Sequence, residues 1–394
     1  MPIPLMTRKE HPMAKKSNPV RIPISNALLG NDYTGKLYVG SQRKEVNLLL
    51  DTGSSTLAID QKSYDPKKDA KARVTDLVQE VAYGDGSHWI GSVVQTDMTV
   101  SRGSAAIDLP GVSVAVAYHE SLQMFGKSQG ILGLAYQSLD DAINVSKPTV
   151  PPKYSPNDIR AGKKTFVEPY FMQLEKAGLV ANKFAFSTHR STVRGVAKNP
   201  ATDPLNNGFL IIGGGEEATD LYTGRFKTAV VLSEDYYSVN LKQVIVGNAA
   251  PIALSPPIHQ SQAATNAIVD SGTNGIELAP HVFDAVLKKL SSKQVKSIRS
   301  TQVPTSSVKL SEWPVLTFVL QSTGGDISLD VGPENYWQMD AWETGTAVCS
   351  LWRGDDEQSS ILGLPLMNAY FTIFDCSVNH GLGVVKFAKA RPPV

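Results

Sequence analysis

Cysteine is scarce. The 394-residue chain has two, Cys349 and Cys376, which leaves no room for a disulfide framework and fits a reducing compartment, where free thiols pack as small hydrophobes. The two could still pair with each other. Long apolar runs are missing: none approaches the roughly 18–20 residues that cross a bilayer, and residues 315–320 are typical in being strand-sized. The N-terminal charges Arg8, Lys9, Glu10, Lys15 and Lys16 are followed by no apolar stretch, unlike a secretory leader, which predicts a cytoplasmic protein with no membrane partner. Charge of one sign is lacking too. With 38 basic and 37 acidic side chains the net charge is +1, so nothing steers the chain toward nucleic acid or an anionic membrane. The seven histidines are scattered with no His-x-x-x-His pair, and no Cys-x-x-Cys occurs, so neither a metal nor a cofactor is expected.

What is present is a globular composition, 42% hydrophobic and 19% charged, in a chain long enough for two lobes. Short β-branched and apolar runs, separated by Gly, Asn, Asp and Pro, fall at residues 36–39, 46–50, 93–100, 112–117, 209–212, 229–232, 237–246, 267–269, 315–320 and 371–374. That spacing predicts a mainly β protein. Helical periodicity is confined to residues 166–177 and 280–291, the second opening on Pro280. Polar stretches at 146–164, 188–207 and 251–265 read as a surface loop, a connection between lobes and a surface insertion. The expected organisation is an extension at 1–19, a first lobe at 20–187 and a second at 188–394.

An internal duplication carries the chemistry. The apolar run 46–50 leads into Asp51-Thr52-Gly53-Ser54-Ser55, and the run 267–269 leads into Asp270-Ser271-Gly272-Thr273-Asn274. Each half later contains Ile-Leu-Gly-Leu, at 131–134 and 361–364. An Asp ending a buried strand points its carboxylate into a confined site. A Gly two residues on permits a tight turn and a close backbone approach, and the next hydroxyl can bond the outer carboxylate oxygen. One such motif is an ordinary turn sequence; two copies in matching order point to paired carboxylates.

On these residues the chain resembles the pepsin family of aspartic proteases over nearly its whole length. Tyr83-Gly84-Asp85-Gly86-Ser87 is similar to the family's flap tip. Residues 130–136, 208–214, 222–224 and 370–375 resemble other family segments, in family order. The resemblance implies a bilobal pepsin-like fold with pseudo-two-fold symmetry and a central cleft. It implies that Asp51 and Asp270 share a water and hydrolyse peptide bonds, so that the partners are peptides or unfolded proteins and pepstatin-type inhibitors. By the same resemblance Thr52, Gly53, Ser271 and Gly272 brace the two loops, Ser54 and Thr273 bond the carboxylates, and Tyr83, Gly84 and Asp85 close over substrate. Leu122, Phe125, Ile131 and Ile361 are the candidate subsite residues. With few cysteines and near-neutral charge, the chain is most similar in character to bacterial cytoplasmic homologues of the shewasin type, and is expected to be monomeric with a mildly acidic optimum. The alternative is a pepsin-fold binding or inhibitor protein without activity, although Asp51, Asp270 and Tyr83 are all retained.

Three departures stand out against that family. The Trp that usually partners the flap tyrosine is replaced by Ala58, leaving Trp89 as the nearby substitute; Leu364 takes a position often acidic; and the usual disulfides are absent. Two decoys are set aside. Gly126-Lys127-Ser128-Gln129-Gly130 matches a serine-hydrolase elbow, but a strand pattern follows it where that motif needs a helix. Gly213-Gly214-Gly215 imitates a dinucleotide fingerprint but likewise lacks the helix after it.

Overall fold

Strand Val20–Ser25 alternates buried and exposed side chains, so one face joins the core while Arg21 and Pro23 face outward. It heads a run of six antiparallel strands drawn from both ends of the chain: Val20–Ser25, Asn207–Ile212, Lys183–Ser187, Tyr370–Asp375, Val384–Ala390 and Tyr222–Val230. The computed structural model describes residues 18–84, 86–101, 106–121, 125–145, 162–254 and 265–393.

From Val20–Ser25 the sheet continues through Thr34–Val39 and Lys44–Asp51 into the first half of the chain, reaching fifteen strands. Three smaller sheets, of five, four and three strands, are built from the second half. The fold is mainly β, as composition and spacing predict. Residues on either side of 187, where the two lobes are expected to divide, belong to neighbouring strands: Phe184 pairs with Ile212 and Phe186 with Leu210.

The middle of the six-stranded run is filled by aromatics. Phe184 stacks on Phe374 with centroids 5.0 Å apart, and Tyr237 meets Phe374 edge-on at 4.5 Å. On the same strands Asp375, only 2% exposed, is gripped by Lys386 at 2.7 Å and Lys183 at 3.1 Å.

Some elements differ from expectation for local reasons. Residues 166–177 do not form one helix. Phe166 ends the strand Lys163–Phe166, and the helix Tyr170–Lys176 starts only after Pro169. The periodic stretch from Pro280 stops at Leu287, and a second helix, Ser292–Ile298, begins where Ser291 and Gln294 form a reciprocal capping box. The run 237–246 splits at Asn240 into Ser238–Val239 and Leu241–Val246, with the Asn266 side chain bonding both the N–H and the C=O of Leu241. Of the expected loops, residues 146–161 and 255–264 lie outside the described residues. Cys349 and Cys376 are both buried and free, and burial raises their thiols to about 12 and about 11. Among the described residues no helix is long and apolar enough to cross a membrane.

Candidate active site

The two copies of the motif occupy equivalent places in two matching three-strand arrangements, one in the fifteen-stranded sheet and one in the five-stranded sheet. Strand Lys44–Asp51 runs parallel to Gly130–Gly133, pairing Leu50 with Leu132 and Asp51 with Gly133. Strand Ala267–Val269 runs parallel to Ser360–Leu362, pairing Val269 with Leu362. In each case a third strand, Leu57–Asp60 or Ile276–Leu278, returns antiparallel on the other side of the Ile-Leu-Gly segment. The glycine of that segment is required by packing. A side chain on Gly133 would strike the backbone of Ser55 and Thr56, and one on Gly363 the carbonyls of Thr273 and Gly275. Each Asp loop therefore folds tightly over its own Ile-Leu-Gly turn.

The loops meet through four bonds related by symmetry. Thr52 Oγ1 donates to Val269 O at 3.2 Å and accepts from Ser271 N at 2.9 Å. Ser271 Oγ donates to Leu50 O at 2.9 Å and accepts from Thr52 N at 3.1 Å. All are buried. Within the loops, Gly53 N donates to Asp51 Oδ1 at 2.7 Å and Gly272 N to Asp270 Oδ1 at 2.9 Å.

This bracing sets the carboxyl groups face to face. A Cβ on Gly272 would overlap Asp51 Oδ1 and lie 3.5 Å from Asp270 Oδ1, while one on Gly53 would lie 2.9 Å from Asp270 Oδ1. Both side chains are buried. Burial first, then the charge of Asp270, pushes the Asp51 carboxyl well above its ordinary range, against the opposing pull of Ser54 and the Gly53 N–H. Like charges brought this close disfavour a second ionisation, a behaviour for which aspartic proteases are the standard reference case.

The outer oxygens are treated differently. Thr273 Oγ1 donates to Asp270 Oδ2 at 2.6 Å. Its counterpart Ser54 is buried beside Asp51 and Tyr83, yet among the described residues its Oγ makes no well-formed hydrogen bond, so the expected symmetry stops there.

Over the pair hangs the hairpin of Arg73–Ala82 and His88–Val100, closed at its tip by Tyr83 N donating to Ser87 O at 2.8 Å. Tyr83 reaches down into the cleft, and its hydroxyl accepts a hydrogen bond from Trp89 Nε1 at 3.3 Å. Trp89 is fully buried against Ala58, Ala115, Ala117, Phe125 and Ile131. The small Ala58 thus leaves room for an indole delivered from the hairpin, which does what a Trp at 58 would otherwise do.

A cleft of about 1250 Å³ runs between the halves, lined by Asp51, Asp270, Tyr83, Gly84, Ile131 and Ile361 among others. Phe125 does not line it; the ring is spent packing behind Trp89. Asp85 and Leu122 lie outside the described residues. Ser128, of the hydrolase-like pattern, is buried and donates to Phe125 O at 2.6 Å and Gly130 O at 3.1 Å, as a turn brace does. Residues that sequence reasoning missed also line the cleft. They include Asp32, held just before Tyr33, and Glu277, Trp352 and Asp355 on the far wall. None sits in a recognisable local motif.

The sequence model of the eukaryotic aspartyl protease family matches residues 32–390. The chain belongs to the aspartyl protease family. It is a peptide-bond hydrolase by that membership, and its similarity to individual members is low but spans nearly the whole chain. It is 25% identical to a beta-secretase of Strongylocentrotus purpuratus, over 95% of this chain and 72% of that one. It is 24% identical to a pepsin B of Canis lupus familiaris, over 91% and 82%, and 22% identical to a gastricsin of Oryctolagus cuniculus, over 88% and 79%. The protease differs from a coincidental pair of turns in that both Asp loops, their braces and the hairpin above them fall within the matched region.

Proposed function

We propose that this chain is an endopeptidase in which Asp51 and Asp270 together activate one water against a substrate peptide bond. The ionised carboxylate of the pair takes a proton from the water as its oxygen bonds to the carbonyl carbon. The protonated partner donates to the carbonyl oxygen. Collapse of the tetrahedral species breaks the C–N bond, the amine leaves with a proton from the pair, and the new carboxyl remains; no covalent intermediate with the enzyme forms. The carrying observation is the face-to-face placement of two buried carboxyls across the Thr52–Ser271 brace.

In this reading Tyr83, Gly84 and Asp85 cover the substrate, with extended backbone laid along the cleft as an added strand, and Leu122, Ile131 and Ile361 contribute subsites. The division at 187/188 separates the lobes that carry the two Asp residues. The chain acts as a monomer on peptides and unfolded proteins and is inhibited by pepstatin-type compounds. The two buried free thiols support a reducing, cytoplasmic setting, in keeping with the likeness to shewasin-type homologues.

The test is cleavage of a mixed peptide library with and without pepstatin, alongside Asp51→Ala and Asp270→Ala. Cleavage that pepstatin and either substitution abolish supports the reading. Peptide binding without cleavage by the unsubstituted chain would instead favour a catalytically silent binding or inhibitor protein.

A further inference from the structure

The walls of the cleft carry one sign of charge. Besides the central pair it is lined by Asp32, Glu234, Asp235, Glu277, Asp355 and Asp356, and among the described residues by no Lys, Arg or His. The chain as a whole is balanced at +1, so this is a local feature. None of the six is in an ion pair among the described residues. Nor do the described acidic groups converge as ligands of a single metal ion.

Two places in this lining are built to receive a cation. On one wall, strand Ile276–Leu278 pairs Glu277 with Trp352 of the parallel strand Leu351–Arg353 and with Ile361 of the strand beside Asp270. Gly354 N then donates to Leu278 O at 2.8 Å, which holds Asp355 against the same strand end. Glu277 and Asp355 repel one another, and burial together with the charges of Asp270 and Asp355 raises the Glu277 carboxyl. On the opposite wall Asp32 Oδ1 is shut off from solvent and, among the described residues, accepts no hydrogen bond. Its carboxyl is raised to about 7 by burial and by Asp270. A shielded, unsatisfied acceptor is costly unless something fills it, and like charges in a low-dielectric cleft focus an attractive field for cations.

We propose that the cleft selects peptides carrying a lysine or arginine side chain close to the scissile bond, received by Glu277 and Asp355 on one wall and by Asp32 on the other. This rests on the endopeptidase reading above and names its substrate class. A Lys or Arg head group brings its charge and donors among these carboxylates, and its apolar stem lies along Trp352 and Ile361. Acidic peptides are turned away by the same carboxylates, so discrimination is attractive for one class and repulsive for the other.

The experiment uses one cleavable peptide with Gln, Lys or Glu placed in turn at each of the positions flanking the scissile bond, assayed at about pH 6, where carboxylates of ordinary pKa are ionised, and again at about pH 8, where Asp32 is ionised as well. At one or more positions Lys is expected to raise kcat/KM about tenfold over Gln, with Glu below Gln, and the Lys-to-Gln ratio to shrink when salt rises from about 0.05 to about 0.5 M. Glu277→Gln and Asp355→Asn are each expected to lower that ratio several-fold at either pH, Asp32→Asn to do so at about pH 8 and much less at about pH 6, and Glu277→Lys to move the preference toward Glu. Ratios near one at every position, or ratios that all the substitutions leave alone, overturn the proposal while the endopeptidase reading stands. If no peptide is cut, binding of the same peptides to Asp270→Asn decides separately. Tighter binding of the Lys peptide supports the cationic class, and equal binding removes it.

Discussion

Trp89 Nε1 donates to the Tyr83 hydroxyl over 3.3 Å, and both residues belong to the same hairpin. The donor therefore belongs to the hairpin itself instead of standing on the floor beneath it, so donor and acceptor form one body. Packing of the buried indole against Ala58, on the strand that follows the first Asp loop, is what ties this body to the floor. Trp89→Phe keeps the ring and removes the donor. We expect kcat/KM to fall about 3- to 10-fold, the worth of one neutral hydrogen bond, with the thermal midpoint little changed. An unaltered kcat/KM would show that Tyr83 needs no anchor.

The same packing predicts an exchange. Ala58 has no exposed surface and touches the Trp89 cluster, so Ala58→Trp alone overfills it and is expected to destabilise by about 1–3 kcal/mol. Combined with Trp89→Ala, the cost should drop well below the sum of the two single changes, because the new indole enters the space the old one vacates. Additive losses in chemical denaturation would mean that the two positions do not share one space.

Thr52 and Ser271 are more than turn residues, because each hydroxyl both donates to and accepts from the other loop. Thr52→Val removes two of the four bonds and leaves the buried Ser271 N–H without its acceptor and Val269 O without that donor, a loss of about 1–3 kcal/mol. Activity should fall by more than stability does, since the carboxyl separation depends on this brace, and Thr52→Ser should restore both. In a double-mutant cycle with Ser271→Ala the losses should be strongly non-additive. Independent losses would contradict a shared brace.

These contacts mark how far the sequence could be read. The Asp loops were legible because each repeats beside an apolar strand and an Ile-Leu-Gly turn, so one copy vouches for the other. Trp89 could be named as a substitute partner because it lies six residues from Tyr83. Ser54 and Thr273 are equivalent in sequence, but among the described residues only Thr273 closes its bond. Asp32, Asp140 and Asp355 left no trace, since what makes them unusual comes from elements far away in sequence. The second helix, Ser292–Ile298, was not expected, because the apolar period read from Pro280 ends at Ser291, the residue that caps it.

Asp140 illustrates the distant kind. Its Oδ1 accepts from Thr56 Oγ1 at 2.7 Å and from Gln79 Nε2 at 2.6 Å, joining the first Asp loop to the root of the flap. It is 1% exposed, and burial raises its carboxyl to about 7 despite those two bonds, with Asp141 adding to the rise. An acid whose folded pKa is raised holds its proton better folded than unfolded. Stability is therefore lost as pH climbs from about 4 toward 7. Asp140→Asn keeps the acceptor and removes the ionisation, so its unfolding free energy should match or trail that of the unsubstituted chain near pH 4 and gain on it steadily by pH 7–8, by about 1–4 kcal/mol. A difference that does not change with pH would refute this assignment.

Asp375 has the opposite sign. Burial opposes its charge, but hydrogen bonds from Lys386, Ser377 and Lys183 outweigh it and hold the carboxyl down at about 2. A depressed acid contributes stability that is complete above its unfolded pKa and disappears as pH falls through the folded value. Asp375→Asn should thus cost about 2–3 kcal/mol at neutral pH, because Lys183 and Lys386 lose the acceptor between them and keep only Glu216. The penalty should shrink steadily below about pH 4 and be nearly gone by about pH 2. Because Asp375 joins the strands Tyr370–Asp375, Val384–Ala390 and Lys183–Ser187, denaturation followed by far-UV circular dichroism across that range reads the effect directly. A penalty as large at pH 2 as at pH 7 would mean that the side chain stabilises the sheet by packing, and that the two lysines do not depend on its charge.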